Sequence, residues 1–276
     1  MNERVQLVAV VLGAWVLLEL LLGRFPWRGI SARENWLDVA AFSQATFLVG
    51  PLIVLGTAAI ETRLLPQYAG AWQDVAWYWQ LLAFVIFEDL VQYWWHRASH
   101  TFPALWPAHK FHHTAPHMGV RIVWRNGFFY DVLMPNLWLA GILVYLGFAE
   151  VYLWYQAAKL VITMGAHSEL RWDAVLYRHR FLHPLAWIVE RTISTPATHF
   201  AHHAYAEDDG IGHYNGNYGN LLFFWDVLFG TARITRQYPP RFGVQEAPGD
   251  RGDPWYVLIF YPLFRRRRNP GQGEAL

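Results

Sequence analysis

The sequence predicts an all-α integral membrane protein with about four to five membrane helices and a helical cap on one face. Three observations predict it. Hydrophobic residues make up 54% of the 276 positions and the mean hydropathy is +0.13, above what an ordinary soluble domain carries. Aromatic residues reach 17%, with 16 Trp, a level that fits rings placed at two membrane–water interfaces. Finally, long apolar stretches alternate with short segments in which arginine gathers on one side only.

Residues 5–22 form the first apolar run, interrupted by Gln6 and Glu19 and long enough to cross a bilayer. A secretory signal is the rival reading, but no small-residue cleavage site follows; Phe25-Pro-Trp-Arg does, as at an interface. The second run covers residues 37–60. The third covers residues 75–95, with Trp77 and Trp79 at one end and Trp94 and Trp95 at the other. At ~1.5 Å per helical residue those belts lie about 27 Å apart, close to a hydrocarbon thickness. Residues 132–148 and 151–166 are the fourth and fifth runs. They meet at residues 147–150, a turn short enough for a helical hairpin that dips into or crosses the membrane.

Three segments follow from this. Residues 1–74 are expected to anchor the chain, residues 75–232 to carry its chemistry, and residues 233–276 to form a C-terminal tail on the cytoplasmic side. The tail is polar and rich in Gly, Pro and Arg after Phe264. Orientation comes from arginine placement. Arg24, Arg28 and Arg33 follow the first run; Arg97, Lys110, Arg121 and Arg125 follow the third; Arg171, Arg178, Arg180 and residues 265–268 follow the fifth. The other side has only Arg4 and Arg63. The positive-inside rule therefore turns the cap to the cytoplasm. Lysine occurs only at 110 and 159, an arginine bias common in GC-rich genomes, so a bacterial inner membrane is the expected location.

Several chemistries are excluded. A net charge of +1 gives no bulk attraction for nucleic acid, and the absence of Cys removes disulfides, thiolate metal sites and Cys nucleophiles. There is no HExxH zincin motif, G-x-S-x-G elbow, Walker loop or Rossmann fingerprint.

The histidines carry the signal. All 13 lie between residues 96 and 213, in three clusters: His96-Arg-Ala-Ser-His100, His109-Lys-Phe-His112-His113 and His199-Phe-Ala-His202-His203. On a helix, residues three and four apart share a face, so each cluster can aim two or three imidazoles at one point. Neutral imidazole suits Fe, Zn, Cu or Ni. Eight nitrogens exceed what one ion uses, which points to a dinuclear site in the cap, with His167 as a ninth ligand. A single His–x3–His pair is commonly no metal site, and aromatic-rich histidines also occur simply at interfaces. Three clusters at helical spacing on one predicted side outweigh that. Asp89, Tyr93, His96 and His100 follow at steps of four, three and four, so one stripe runs from inside the bilayer to the site. Asp89 and Tyr93 are therefore the candidate catalytic side chains. An ionisable group at that depth is costly and usually functional, and Asp89 is expected to accept a ligand imidazole N–H. Helix packing through an ion pair is its bland alternative.

The segments Asp89-Leu-Val-Gln-Tyr-Trp-Trp-His-Arg-Ala-Ser-His100, Trp106-Pro-Ala-His-Lys-Phe-His-His113 and Thr195-Pro-Ala-Thr-His-Phe-Ala-His-His203 resemble the histidine boxes of the fatty acid hydroxylase/sterol desaturase superfamily. Asn217-Tyr-Gly followed by Trp225-Asp-Val-Leu-Phe-Gly-Thr231 is similar to the segment that closes that domain, and His167-Ser-Glu stands where the family has an isolated histidine. The pattern covers about residues 75–232 and is most similar to the branch that includes alkylglycerol monooxygenase. The resemblance implies two iron ions (zinc being possible on isolation), dioxygen as co-substrate, and hydroxylation of a C–H bond in a membrane lipid such as a fatty acyl, ether lipid or sterol. It also implies a separate electron-donor protein of the ferredoxin or cytochrome type, since no haem or flavin domain is recognisable. Desaturation by the same site is the alternative reaction. A zinc-dependent membrane hydrolase and a metal transporter are the alternative classes. One departure is Arg171, where some members have a further histidine. His179, His183, His117 and His213 are left outside the expected ligand set.

Overall fold

The computed structural model describes residues 3–27, 29–245 and 252–265, so Arg28 and residues 266–268 of the orientation argument lie outside the described residues. Among the described residues the chain is helical, with a single isolated bridge between Ala204 and Phe242. The first apolar run is the helix Glu3–Leu21. The second belongs to a continuous helix, Ala32–Leu64. It starts at Ser31, whose hydroxyl accepts the Glu34 N–H at 3.2 Å and satisfies one of the otherwise unpaired amides of the first turn.

The third run forms Trp77–Phe84, a π-helical turn at Val85–Leu90, and Val91–Thr101, in one uninterrupted rod. π-helical turns insert one extra residue and concentrate at functional sites. Here the widened turn sends two adjacent buried acids to different neighbours. Glu88 meets Asn136, Tyr155 and Lys159, and Asp89 meets Leu222 and Trp225.

Residues 135–167 are helical throughout by hydrogen bonding, yet they fold back on themselves. Gly147 has φ 117° inside this stretch. Asn136 Nδ2 donates to Glu88 Oε1 at 2.9 Å, and Lys159 Nζ donates to the same oxygen. In a straight helix those two residues would stand about 35 Å apart. The fourth and fifth runs are therefore two arms of a hairpin. Phe84 wedges between the arms, in one cluster with Ala140, Leu143, Phe148 and Tyr155. The shorter arm, Pro135 to the Gly147 bend, is about 18 Å long, less than a hydrocarbon core. The bend is fastened to the loop before residue 77, because Gly70 and Trp72 N–H donate to the carbonyls of Tyr145 and Leu146, both at 2.9 Å.

Two stretches, Ala32–Leu64 and Pro135–His167, are long and apolar enough to cross a membrane, and only 17% and 22% of their apolar windows are buried. A soluble core helix would be covered. Phe47, Leu55, Trp77 and Trp154 are instead 66–76% exposed, which in water would be an aggregation liability. The rod at residues 77–101 does not meet the same test, since Glu88, Asp89, Gln92, His96, Arg97 and His100 lower its hydropathy.

The N-terminal helices are bonded to the histidine-bearing half. Arg125, with no exposed surface, donates to Asp38 Oδ1 at 2.7 Å, Glu34 Oε2 at 2.6 Å, Thr114 Oγ1 at 3.0 Å and the Phe111 carbonyl at 3.3 Å. Arg121 donates to Asp38 Oδ2 at 2.6 Å and to Asn35 Oδ1 at 2.5 Å. Buried charges persist only when paired and bonded in this way.

Gly147→Ala is expected to destabilise the fold. A Cβ there would stand 2.8 Å from the Gln73 backbone, at a φ that L-residues avoid, costing about 1–3 kcal/mol from the backbone strain alone. The check is thermal unfolding in detergent, where the variant should melt several degrees below the parent. Gly13→Ala, which meets nothing within 4 Å, should melt with the parent.

Candidate metal centre

Four helices converge on the site. Val91–Thr101 brings His96 and His100; Trp106–His113 brings His109, His112 and His113; Pro196–His202, with His203 at its end, brings the last cluster; and the hairpin's long arm, Ala149–His167, ends on His167. Local signals set these helices. Pro107 and Pro196 occupy first-turn positions, where the missing amide costs nothing. Thr195 and Thr198 form a capping box at the start of the last cluster, and the Ala197 amide is taken by Asp173 Oδ2 at 2.8 Å.

The nine imidazoles sort into two groups, His96, His100, His109, His113 and His202, and His112, His167, His199 and His203, each with its donor atoms within 4.8 Å of one another. The grouping cuts across the sequence clusters. His109 and His113 share one face of their helix and enter the first group, while His112 turns to the second. His199 and His203 likewise enter the second group, and His202 the first. Each His-x-x-His-His motif thus serves both groups: two of its imidazoles share one point, as the spacing predicts, and the third goes to the other group. The i,i+4 pair lies about 40° apart around the helix, while the intervening histidine stands about 60° and 100° from its two members. The groups adjoin, with the rings of His113 and His203 4.5 Å apart and those of His109 and His112 5.4 Å apart.

The proton inventory tests whether cations fit. His96 Nδ1 and His202 Nδ1 lie 2.7 Å from the carbonyls of Tyr218 and Gly216. A carbonyl only accepts, so both nitrogens carry the hydrogen and both Nε2 atoms carry lone pairs. Those Nε2 atoms are 3.0 Å apart. Two lone pairs at that distance repel unless a cation lies between them. A proton is disfavoured, because burial above all holds the His202 imidazole well below its ordinary range, as it does those of His100, His109, His112, His113, His199 and His203, with neighbouring imidazoles adding to it. A metal ion would resolve the conflict. Ligands at right angles about 2.1 Å from one ion lie about 3.0 Å apart. The contacts His199–His167 at 2.9 Å, His203–His199 at 3.1 Å and His113–His109 at 3.2 Å match. His100 Nε2 is buried without a partner, as are Nδ1 of His109, His112 and His199.

Two polar stripes run from the bundle interior to these groups. Glu88, Gln92, His96 and His100 recur every four residues on one helix, and Tyr155, Lys159, Thr163 and His167 every four on the hairpin arm. Lys159 donates to both Glu88 and Gln92, and Tyr155 to Glu88. The His167 Nδ1–H donates to the Thr163 carbonyl at 2.8 Å. The lattice fixes the rotation of one helix against the other, and hence where His96 and His167 point.

Asp89 and Tyr93 lie elsewhere than expected. Asp89 Oδ2 accepts the Trp225 indole N–H at 2.8 Å and the Leu222 N–H at 3.3 Å. Backbone carbonyls take the N–H groups of His96, His167 and His202 instead, which corrects the expected role of Asp89. Tyr93 hydroxyl lies 2.9 Å from Thr231 Oγ1 and accepts from Arg97 at 3.2 Å. Both residues hold the segment 216–231, which supplies the Gly216 and Tyr218 carbonyls. Asp226 completes that clamp, accepting the Tyr218 N–H at 2.8 Å, the Gly219 N–H at 2.7 Å and the Thr231 hydroxyl at 2.6 Å. Burial nevertheless raises its carboxyl to about 6. Tyr218 is closer to the chemistry than Tyr93, its ring lying 5.3–5.7 Å from those of His96, His100 and His202.

The remaining histidines join neither group. His117 is 3.5 Å from Asp38, His179 packs on Phe181, His183 Nε2 is 3.0 Å from the Tyr177 carbonyl, and His213 Nε2 is 3.2 Å from the Thr231 carbonyl. Arg171 is turned to Glu169 and the rings of Phe200 and Tyr238. Sequence reading missed Glu88 and Lys159. A lysine in an apolar run was a legible signal by its cost, but its partner across the hairpin was not.

Residues 81–231, more than half of the chain, match the fatty acid hydroxylase family model. Alkylglycerol monooxygenase from Danio rerio is 26% identical over 169 residues, 57% of this chain and 31% of that protein. The human alkylglycerol monooxygenase is 25% identical over 168 residues, with the same coverage. Ornithine lipid hydroxylase OlsE from Rhizobium tropici is 28% identical over 192 residues, 68% of this chain and 52% of that protein. The matched segment thus spans about a third of the alkylglycerol monooxygenases and about half of the ornithine lipid hydroxylase. No solved structure matches significantly.

Metal analysis of protein purified gently without chelators should find two transition-metal ions per chain. His202→Ala and His199→Ala should each lower that content and abolish activity. His117→Ala, outside both groups, should leave it at two. A chain free of transition metal would contradict the site.

Proposed function

The chain belongs to the fatty acid hydroxylase family, and we propose that it is an oxygen-dependent monooxygenase that hydroxylates a C–H bond of a membrane lipid through two iron ions. The single observation that supports this best is the pair of adjacent all-imidazole groups, whose lone pairs converge at the end of a bundle with apolar outer faces. Imidazole binds iron and zinc alike, but zinc has no redox chemistry, and oxidation of an unactivated C–H bond needs electrons. When bound, the iron pair supplies dioxygen activation; the balance is one lipid C–H, O2, two electrons and two protons to one lipid C–OH and water. His96, His100, His109, His113 and His202 would hold one ion, and His112, His167, His199 and His203 the other.

The rest of the chemistry falls to positioning and to exclusion of water. The carbonyls of Tyr218, Gly216 and Thr163 hold three imidazoles in one tautomer. The clamp built on Asp89, Tyr93 and Asp226 holds two of those carbonyls. Tyr130, Trp106 and Tyr218 wall the first group with rings, at 4.5 Å from His109, 5.1 Å from His100 and 5.6 Å from His96 respectively. The exposed Trp94, tilted against Phe229 at 4.9 Å, is the point at which we place the entry of a lipid chain from the bilayer. A fatty acyl, ether lipid or sterol substrate fits this entry. Electrons arrive from a ferredoxin- or cytochrome-type partner. The names of the relatives concern alkylglycerol and ornithine lipid, both consistent with a lipid substrate here.

The protein is read as integral to a bacterial inner membrane, its histidines facing the cytoplasm. The hairpin bend and the histidines stand at opposite ends of the Ala149–His167 arm, about 28 Å long at ~1.5 Å per residue. Single cysteines are easily placed in a chain that has none. Ala149→Cys and Arg180→Cys should react with an impermeant thiol reagent from opposite sides of the membrane, and reaction from the same side would overturn this topology.

Reconstitution with a donor protein, reductant and lipid under 18O2 tests the reaction. Labelled hydroxyl in the lipid is the expected result. An unlabelled product with a new double bond would indicate a desaturase, and turnover indifferent to oxygen would overturn the oxidase reading in favour of a hydrolase.

A further inference from the structure

Glu19 interrupts the first apolar run and lies outside the segment that matches the family. It has no exposed surface. Its Oε1 accepts the Ser168 hydroxyl at 2.7 Å, the Glu169 N–H at 3.1 Å and the Val120 N–H at 3.4 Å, while Oε2 has no partner. Its backbone carbonyl accepts the N–H groups of Arg24 at 2.7 Å and Phe25 at 3.0 Å, ending the helix. Around it Val11, Leu12, Trp15 and Val16 pack on Leu160 and Met164 of the hairpin arm. Burying a carboxylate in an apolar helix is costly unless its bonds do something specific.

What those bonds hold is the end of the arm that carries His167. His167 is the last residue of its helix, and Ser168, immediately after it, is already extended at φ −69°, ψ 133°. Helix ends fray because their last carbonyls lack intrahelical partners. Here the His167 carbonyl is taken by the Gly119 N–H at 2.8 Å. Glu19 then grips the residues on both sides of that contact, Val120 on one chain segment and Ser168 with Glu169 on the other. In the first group, His96 and His202 are supported from elsewhere, by the Tyr218 and Gly216 carbonyls.

We propose that Glu19 is a positioning residue for the second metal group: its carboxylate, accepting from Ser168, Glu169 and Val120, fixes His167 against His112, His199 and His203. The first helix is then part of the metal site's support as well as an anchor. This rests on the two-ion reading above.

The test is titration of metal-depleted full-length protein with Co(II) in detergent, followed by visible absorption and calorimetry. The parent should bind two ions in separable steps, and loss of one step in His167→Ala identifies the second group. Glu19→Ala should weaken that step alone, by about 10–100-fold, the usual cost of removing a group that orients a ligand. Ser168→Ala should weaken the same step, which keeps the test intact if Glu19→Ala does not fold. Glu19→Gln, whose amide oxygen still accepts, should restore most of the affinity. Equal weakening of both steps, or none, in Glu19→Ala and Ser168→Ala would overturn the positioning role. A parent that binds fewer than two ions would instead overturn the two-ion reading itself.

Discussion

The constraint on which the structure depends is the meeting of buried imidazole lone pairs. His96 and His202 give their only protons to carbonyls, and their Nε2 atoms face each other at 3.0 Å. Nothing among the described residues neutralises that contact, and burial disfavours protonation. Every other feature of the site serves to keep nine such rings together despite their mutual repulsion. The chain does so by attaching the rings to four helices and fixing each helix to a neighbour through polar groups that cannot find water.

Those fixings are buried and polar, two of them ionic, and their cost explains their number. Glu88 and Lys159 join the rod to the hairpin, Arg125 joins Asp38 and Glu34 to the helix of the second cluster, and Asp226 closes the segment behind His96 and His202. Removing one partner of a buried pair leaves an uncompensated charge and typically costs about 3–5 kcal/mol. Such pairs contribute little net stability over apolar packing, but they tolerate one arrangement only. A site whose histidines come from residues 96 to 203 gains from that geometric restriction. The apolar exterior does the opposite work, leaving the bundle free to sit in lipid.

Much of this was legible in the sequence. The helical periodicity and the clusters singled out nine histidines as candidate ligands, and the fold gathers all nine into two groups that could each hold a metal ion. Gly147 at the junction of two apolar runs announced the hairpin. What stayed hidden depends on contacts distant along the chain. The partition of each His-x-x-His-His motif between two groups requires knowing which helix faces which. The roles of Asp89 and Tyr93 were displaced by one step, because their stripe points at the closing segment and not at the ligands. Glu19 and Arg125 read as an interruption and as a topological charge. Their partners, Ser168 and Asp38, lie 149 and 87 residues away.

X-ray absorption at the iron edge of the reconstituted protein addresses the central claim most directly. Nine imidazoles in two groups, each holding one iron as proposed, predict a nitrogen shell near ~2.1 Å with strong imidazole scattering, roughly four to five rings per iron, and no sulfur. A shell dominated by oxygen, with one or two imidazoles per iron, would contradict it.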